Sequence, residues 1–404
     1  MTNCGDQPTP TLYSEYPVRR DFVEARVVVV NDSEALTDHV TAWESLAAAA
    51  QEPNVFYEPW MFMPALTEYG RRRRLQFVLI YAHDRSEPPG PPALCGFFPL
   101  ERRLGFKGVP VSVLGLWRHL HCFFGGPLIR AGAAALCFDA LFDWVAAGPH
   151  IGTLMEFPWV ASEGPIAQAL ASCLQARLLK SFELEKFTRA FMKRGCSGQA
   201  YMAAALSPSR RKKLNKQRKQ LGQLGRLNCL TLQAHDDVAA WIESFLSLEA
   251  TGWKGKQGTA LACKEPDRRF FEQIALEAFR RGRLRMLALH LDGRPIAQIC
   301  DFIGGDGVFS FKIAYDEAFA DFSPGILLDL ESIRHFHDEE CLAWVDSCNA
   351  PGPSVLTSLW TESRAMQTLI VSTGSRTGNL LIALAPKLRK LRRAMRFAFP
   401  ASAH

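Results

Sequence analysis

The chain has 404 residues, with 48% hydrophobic, 22% charged and 11% aromatic content, and is too long for a single hydrophobic core to be the expected arrangement. Pro and Gly, at 24 and 29 residues, sit near average usage, which excludes collagen-like and low-complexity classes. The net charge of +6 is concentrated in Arg71 to Arg74, Arg210 to Lys219 and Lys387 to Arg396, which hold four, seven and six cations and leave the rest of the chain net acidic.

No apolar run approaches the roughly 18 to 20 residues of a membrane span, and the start of the chain lacks the basic and apolar segments of a secretory signal. A soluble, cytoplasmic protein is expected. Eleven cysteines without a repeated close pair read as reduced core thiols. His119, His121 and Cys122 lack the second half that a zinc site needs, so no metal is expected.

Residues 1–24 are polar and aperiodic and read as a loose tail. A domain over 25–200 then opens with a strand at Arg26 to Val30, a helix starting near Asn31 to Ser33, and a helix over Pro59 to Tyr69. Strands follow at Leu75 to Ala82, Ala93 to Leu100, Val109 to Leu116 and Cys122 to Ile129. A helix over Ala133 to Ala147 and a strand over Gly152 to Phe157 close the unit. A helical arm, Pro165 to Lys180 and Ser207 to Gly222, is interrupted by a strand-like Phe182 to Phe191.

A second domain, 201–375, repeats the order. It has a strand at Leu227 to Leu232, helices from Asp236 or Asp237 to Ala250 and from Pro266 to Arg281, and a strand run over Leu284 to Leu291, Pro295 to Ile303 and Val308 to Asp316. Asp292-Gly293 is the strongest short hairpin signal in the chain. A helix over Gly325 to His337 and a short strand at Cys341 to Ser347 complete it. Residues 376–404 form a basic tail in which Leu388, Leu391 and Met395 share one side. It is suited to lying on an anionic membrane surface or to docking on its own domain.

Ser323-Pro324-Gly325-Ile326-Leu327 follows the last long strand. Ser323 suits the N-cap, Pro324 the first helical position, and Gly325 lets a ligand approach the backbone. Such a helix start either is a plain cap or binds an anion through its free amides. Two copies of this element order have the order of the GNAT acyltransferases. The stretches Glu249 to Ala260, Tyr315 to Gly325, and Asp346-Ser347-Cys348 with Leu359 to Arg364 resemble the CelD/BcsL-type GNAT acetyltransferases, bacterial proteins associated with cellulose and other exopolysaccharides. More distantly, the doubled domain and basic arm are similar to the Fem aminoacyltransferases of peptidoglycan bridges.

The resemblance implies an α/β (α+β) protein of tandem GNAT-like domains, each a mixed, mostly antiparallel sheet flanked by helices. It implies an acyl group moved from acetyl-coenzyme A to an amine or hydroxyl, with a saccharide or small-molecule acceptor. The pyrophosphate would lie on Ser323 to Leu327, and a backbone amide of Ile313 to Tyr315, including Ala314, would polarise the thioester. Asp346 or Glu249 would be the base and Tyr315 the acid. Each carboxylate has an ordinary alternative: Asp346 as a turn cap, Glu249 as the partner of Lys254. Lys312 is either a substrate contact or paired with Asp301, and Trp253 is either a lid over the acceptor or a core residue. The arm, Ser209 to Gly222, lacks the aromatics that single-strand nucleic acid binding uses. It reads as a solvated face, with nucleic acid a less favoured partner.

Overall fold

The computed structural model describes residues 22–85, 90–148 and 152–386. The first half supplies β1 (Phe22–Val30), β2 (Leu75–Asp84), β3 (Ala93–Phe106), β4 (Val109–Leu116), β5 (Leu128–Ile129), β6 (Leu154–Ala161) and β7 (Ser181–Lys193). The second half supplies β8 (Leu227–Thr231), β9 (Leu284–Leu291), β10 (Arg294–Gly304), β11 (Gly307–Tyr315), β12 (Trp344–Asp346) and β13 (Glu362–Ser372). All join one sheet in the order β1-β2-β3-β4-β6-β13-β7-β12-β11-β10-β9-β8, with β5 on β3. The protein is a mixed α/β fold with a large, mostly antiparallel sheet flanked by helices. Its parallel pairs are β4 with β6 and β11 with β12.

Local chemistry explains the elements. Asp292 and Gly293 both take positive φ, +49° and +80°, as a hairpin turn matched to strand twist requires, and β9 pairs with β10 across it. Asp32 caps the first helix by accepting from Ala35 N at 2.7 Å. Gly307 opens β11 because a Cβ there would stand 2.0 Å from the Trp344 ring.

The two halves exchange their last strands. β7, from the first half, pairs with β12, whereas β13, from the second, lies between β6 and β7. The segment expected as a strand-like break within a helical arm is therefore a central strand of the sheet, and β13 was not anticipated. The expected strand over Cys122 to Ile129 shrinks to Leu128–Ile129, with a turn before it. The start of β1 at Phe22 takes in the end of the expected tail, and the remainder of that tail lies outside the described residues, as does the basic segment Lys387 to Arg396.

One apolar cluster crosses the junction, joining Trp43, Phe62 and Phe97 to Phe271, Phe302 and Phe311. Each such fully buried aromatic contributes about 1.5–3 kcal/mol from burial, so separating the halves exposes much of the core. Ion pairs ring the same junction, among them Arg269 with Glu68 and Arg283 with Glu58. Among the described residues, no helix is long and apolar enough to cross a membrane.

Candidate functional site

β11 and β12 pair in parallel only at Gly307–Trp344, Val308–Val345 and Phe309–Asp346. Beyond these residues the strands diverge, and the gap holds a cavity of about 360 Å3. Its wall includes Lys254, Ser310 to Ile313, Asp301, Asp329, Ser332, Ser347, Asn349 and Trp360. A β-bulge at the same point, where Cys300 faces Lys312 but Asp301 faces Ser310, leaves Phe311 as the extra residue.

Lys254 Nζ donates to Glu249 Oε1 at 3.0 Å and to the Ile313 carbonyl at 2.9 Å. Lys312 Nζ lies 3.7 Å from the same carboxylate oxygen, and Leu261 N donates to Oε2 at 2.8 Å. Glu249 is only 2% exposed and does not line the cavity. Of its two expected roles the pairing one is present, with an ammonium and an amide both engaging the carboxylate. One carboxylate facing two ammoniums leaves this wall net positive. Burial makes the Lys312 ammonium easier to deprotonate than usual, an effect partly offset by Glu249.

Lys312 is not paired with Asp301. Side chains alternate along a strand, and Lys312 stands opposite Cys300, so Asp301 belongs to the other face, where Arg285 Nη1 donates to it at 2.7 Å.

Asp346 is fully buried and occupied on every side. Arg189 Nη2 and Arg364 Nη1 donate to Oδ2 at 2.6 and 3.0 Å, and Cys348 N donates to Oδ1 at 3.0 Å. The arginines hold its carboxyl below the ordinary range even though burial pushes the other way. The carboxylate expected as a base joins three strands, because β7 supplies Arg189 and β13 supplies Arg364 to a side chain on β12.

The start of the helix Pro324–Asp338 differs from a plain cap. Ser323 has left-handed φ and ψ of 55° and 51°, and its side chain caps no amide. Its hydroxyl instead meets Gln217 Nε2 of the arm helix Pro208–Gln223 at 3.1 Å. Leu327 N bonds back to the Ser323 carbonyl, so the amides of Gly325 and Ile326 precede the first helical bond and can accept an anion. Tyr315 and Ile313 border this start. A Cβ on Gly325 would sit 3.4 Å from Tyr315 Cδ1 and 3.5 Å from Ile313 Cδ1. Tyr315 is not part of the cavity wall; Ile313 lines the cavity and borders Gly325, with Ala314 buried between the two. Trp253 is 47% exposed and so is not a core residue, and it does not line the cavity.

His119 and His121 are buried against Tyr69 and Phe270, and Tyr69 Oη donates to Asp267 Oδ1 at 2.9 Å. His121 Nε2 lies 3.3 Å from that oxygen without hydrogen-bond alignment. Burial holds His119 neutral. No group of three or more potential metal ligands occurs among the described residues.

Residues 208–351 match the family model of the acetyltransferase (GNAT) domain. They contain the whole of β8 to β12, the cavity's charged wall and the uncapped helix start. No curated protein matches the chain. Among solved structures, FemX superposes with a TM-score of 0.55 at 10% identity, over 85% of this chain and 96% of that one. A conserved protein of unknown function from Bacteroides thetaiotaomicron VPI-5482 does so with a TM-score of 0.50 at 13% identity, over 86% of this chain and 100% of that one. At such identities the likeness is one of fold.

The matched residues offer two chemical features: the amides of Gly325 and Ile326, which precede the first helical bond, and a cavity with cationic side chains where the strands part. Sequence reasoning missed Asp329, Ser332, Asn349 and Trp360 of the cavity wall. Only Asp329 carried a signal, an acid interrupting the apolar run Gly325-Ile-Leu-Leu-Asp-Leu.

Proposed function

We propose that the second half transfers an acyl group from coenzyme A to an amine or hydroxyl, as CelD/BcsL-type acetyltransferases are taken to do. Acetyl is the group and a saccharide or envelope-polymer precursor the acceptor. The observation that carries this reading is the cavity opened by the early parting of β11 and β12, with Lys254 and Lys312 on its wall. A bound thioester supplies the activated carbonyl. Lys312 faces that carbonyl as an electrostatic aid and proton donor. Glu249 and the Ile313 carbonyl position Lys254 beside it. The first half covers the opposite side through Phe123 and His121, which pack on Phe311.

Acetyl-coenzyme A at about one hundred times its dissociation constant should stabilise the protein by about 2.7 kcal/mol. The melting temperature then rises by several degrees. The absence of any shift with short- and long-chain acyl-coenzyme A would remove the donor.

The arm helix favours a second reading. Arg211, Lys212, Lys216, Lys219 and Arg226 line an open groove of about 1110 Å3, suited to a polyanion such as the tRNA of a Fem-like aminoacyl transfer. We rank it lower because no aromatic side chain interleaves these cations. RNA binding at physiological salt should be weak, and exchanging Arg211, Lys212, Lys216 and Lys219 for Ala should change it little. A submicromolar affinity for charged tRNA, steeply salt dependent and lost in that variant, would reverse the ranking.

A further inference from the structure

The cavity has a second, chemically opposite wall. Asp301 on β10 and Asp329 on the helix Pro324–Asp338 both line it. Asp301 is 2% exposed, and although Oδ2 takes the bond from Arg285, its Oδ1 has no hydrogen-bond partner. The Phe311 amide lies near enough to favour the charged form of Asp301, yet makes no aligned bond to Oδ1. No hydrogen bond or ion pair reaches Asp329 from any described residue.

The surrounding charges are spent elsewhere. Arg285 of β9 is shared between Asp301, Glu340 and Ser332. Lys312 of β11 and Lys254, both on the far wall, turn to Glu249, which does not line the cavity. On the same helix as Asp329, Glu331 faces Arg218 and Arg334, and His335 faces Glu339 and Glu340. Asp346 of β12 is held by Arg189 and Arg364. Two carboxyls thus face one cavity, and a single guanidinium serves only one of them.

Burial, with the charge of Asp301 beside it, pushes the Asp329 carboxyl up to about 8, and burial brings Asp301 to about 6. At neutral pH the pair therefore retains a proton. A cation placed between the two would displace that proton and supply the donors that Oδ1 of Asp301 and the carboxyl of Asp329 lack.

We propose that the cavity binds a primary ammonium group between Asp301 and Asp329, the remainder of the ligand extending toward Lys312 and Lys254. A plain acetyl group offers nothing to this wall, and a hydroxyl offers one donor, whereas an ammonium offers three. The ammonium belongs either to the transferred acyl group or to the acceptor. The inference deepens the acyltransferase reading by naming a substrate class for the same cavity.

The test compares n-propylammonium with n-propanol, and β-alanyl-coenzyme A with propionyl-coenzyme A, by calorimetry on the full chain and on Asp329→Asn. Asparagine removes an unpartnered acid without changing its size, so the variant should fold. n-Propylammonium should bind tighter than n-propanol, and its affinity should rise about tenfold per pH unit from 6 to 8 and level off above, because only ionised Asp329 receives the cation. This pH profile is read on the unaltered protein. Asp329→Asn should abolish the profile and cost at least tenfold in affinity.

A gain of β-alanyl- over propionyl-coenzyme A that disappears in Asp329→Asn assigns the ammonium to the acyl group. A preference confined to n-propylammonium assigns it to the acceptor. Equal binding of charged and uncharged partners in both pairs, or a preference that survives Asp329→Asn, overturns the proposal, and propionyl-coenzyme A binding in that case would leave the coenzyme reading intact. If n-propylammonium binds as expected and no thioester binds, the coenzyme reading falls and this one stands.

Discussion

Replacing Asp346 by Ala should cost about 3–5 kcal/mol of stability, because it leaves a fully buried arginine without its counter-charge. Arg189 is 1% exposed, with one other side-chain hydrogen bond, Nη1 donating to the Phe123 carbonyl at 2.6 Å. Asp346 also ties β12 to Arg364 of β13 and, through it, to Glu52 near the first half's surface. A denaturant melt should show the midpoint falling sharply. Asp346→Asn should fare somewhat better, since an amide oxygen can still accept one of the bonds. The linkage with pH follows from the direction of the shift. A carboxyl depressed by its arginines contributes stability that is complete above its unfolded value, near 3.9, and is lost as pH falls through the lower folded value. The acid limb of the stability curve should therefore be shallower in Asp346→Asn, and its deficit relative to the parent should narrow as pH falls. An Asp346→Asn protein of parental stability that binds coenzyme and does not turn over would restore the role of base.

The partners of Asp346 show where sequence reading stops. Its position on a short strand parallel to β11 was legible, since Cys341 to Ser347 reads as a short, largely apolar strand between a helix and a turn. Its partners were not. Arg189 and Arg364 lie 157 and 18 residues away and meet it only because β7 and β13 exchange halves. β13 itself carries a period of two, with Met366, Thr368 and Ile370 buried, yet alternation says nothing about which strand it joins. Turn chemistry fared better. Asp292-Gly293 located the β9–β10 hairpin because left-handed conformations restrict residue choice locally, with no distant partner required.

Lys312 illustrates an intermediate case. Its half-buried, paired state was legible from an isolated lysine on an apolar strand. The identity of the partner turned on strand register and on the bulge at Phe311, which decide which side chains share a face. Ser323 illustrates another, because the residue types at 323–325 signal a helix start. The left-handed Ser323 and its bond to Gln217, which leave the amides open, arise from the packing of the arm helix.

Gly325→Val should leave a folded protein whose affinity for acetyl-coenzyme A falls roughly ten- to several-hundred-fold. Folding survives for two reasons. Gly325 is not among the residues with positive φ, so its backbone suits any side chain. A first-turn glycine of a helix is also replaceable at little cost, and the new Cβ meets Tyr315 and Ile313 at ordinary contact distances of 3.4 and 3.5 Å. Valine adds two methyl groups beyond that Cβ, in the space through which a pyrophosphate reaches the amides of Gly325 and Ile326. Losing one or two charge-assisted hydrogen bonds of about 1.5–3 kcal/mol each sets the size of the effect. Gly325→Ala, with the Cβ alone, should lie between parent and Val in a direct titration. Normal binding in Gly325→Val would show that the helix start is only a turn, and coenzyme recognition would have to come from the lysine wall of the cavity alone.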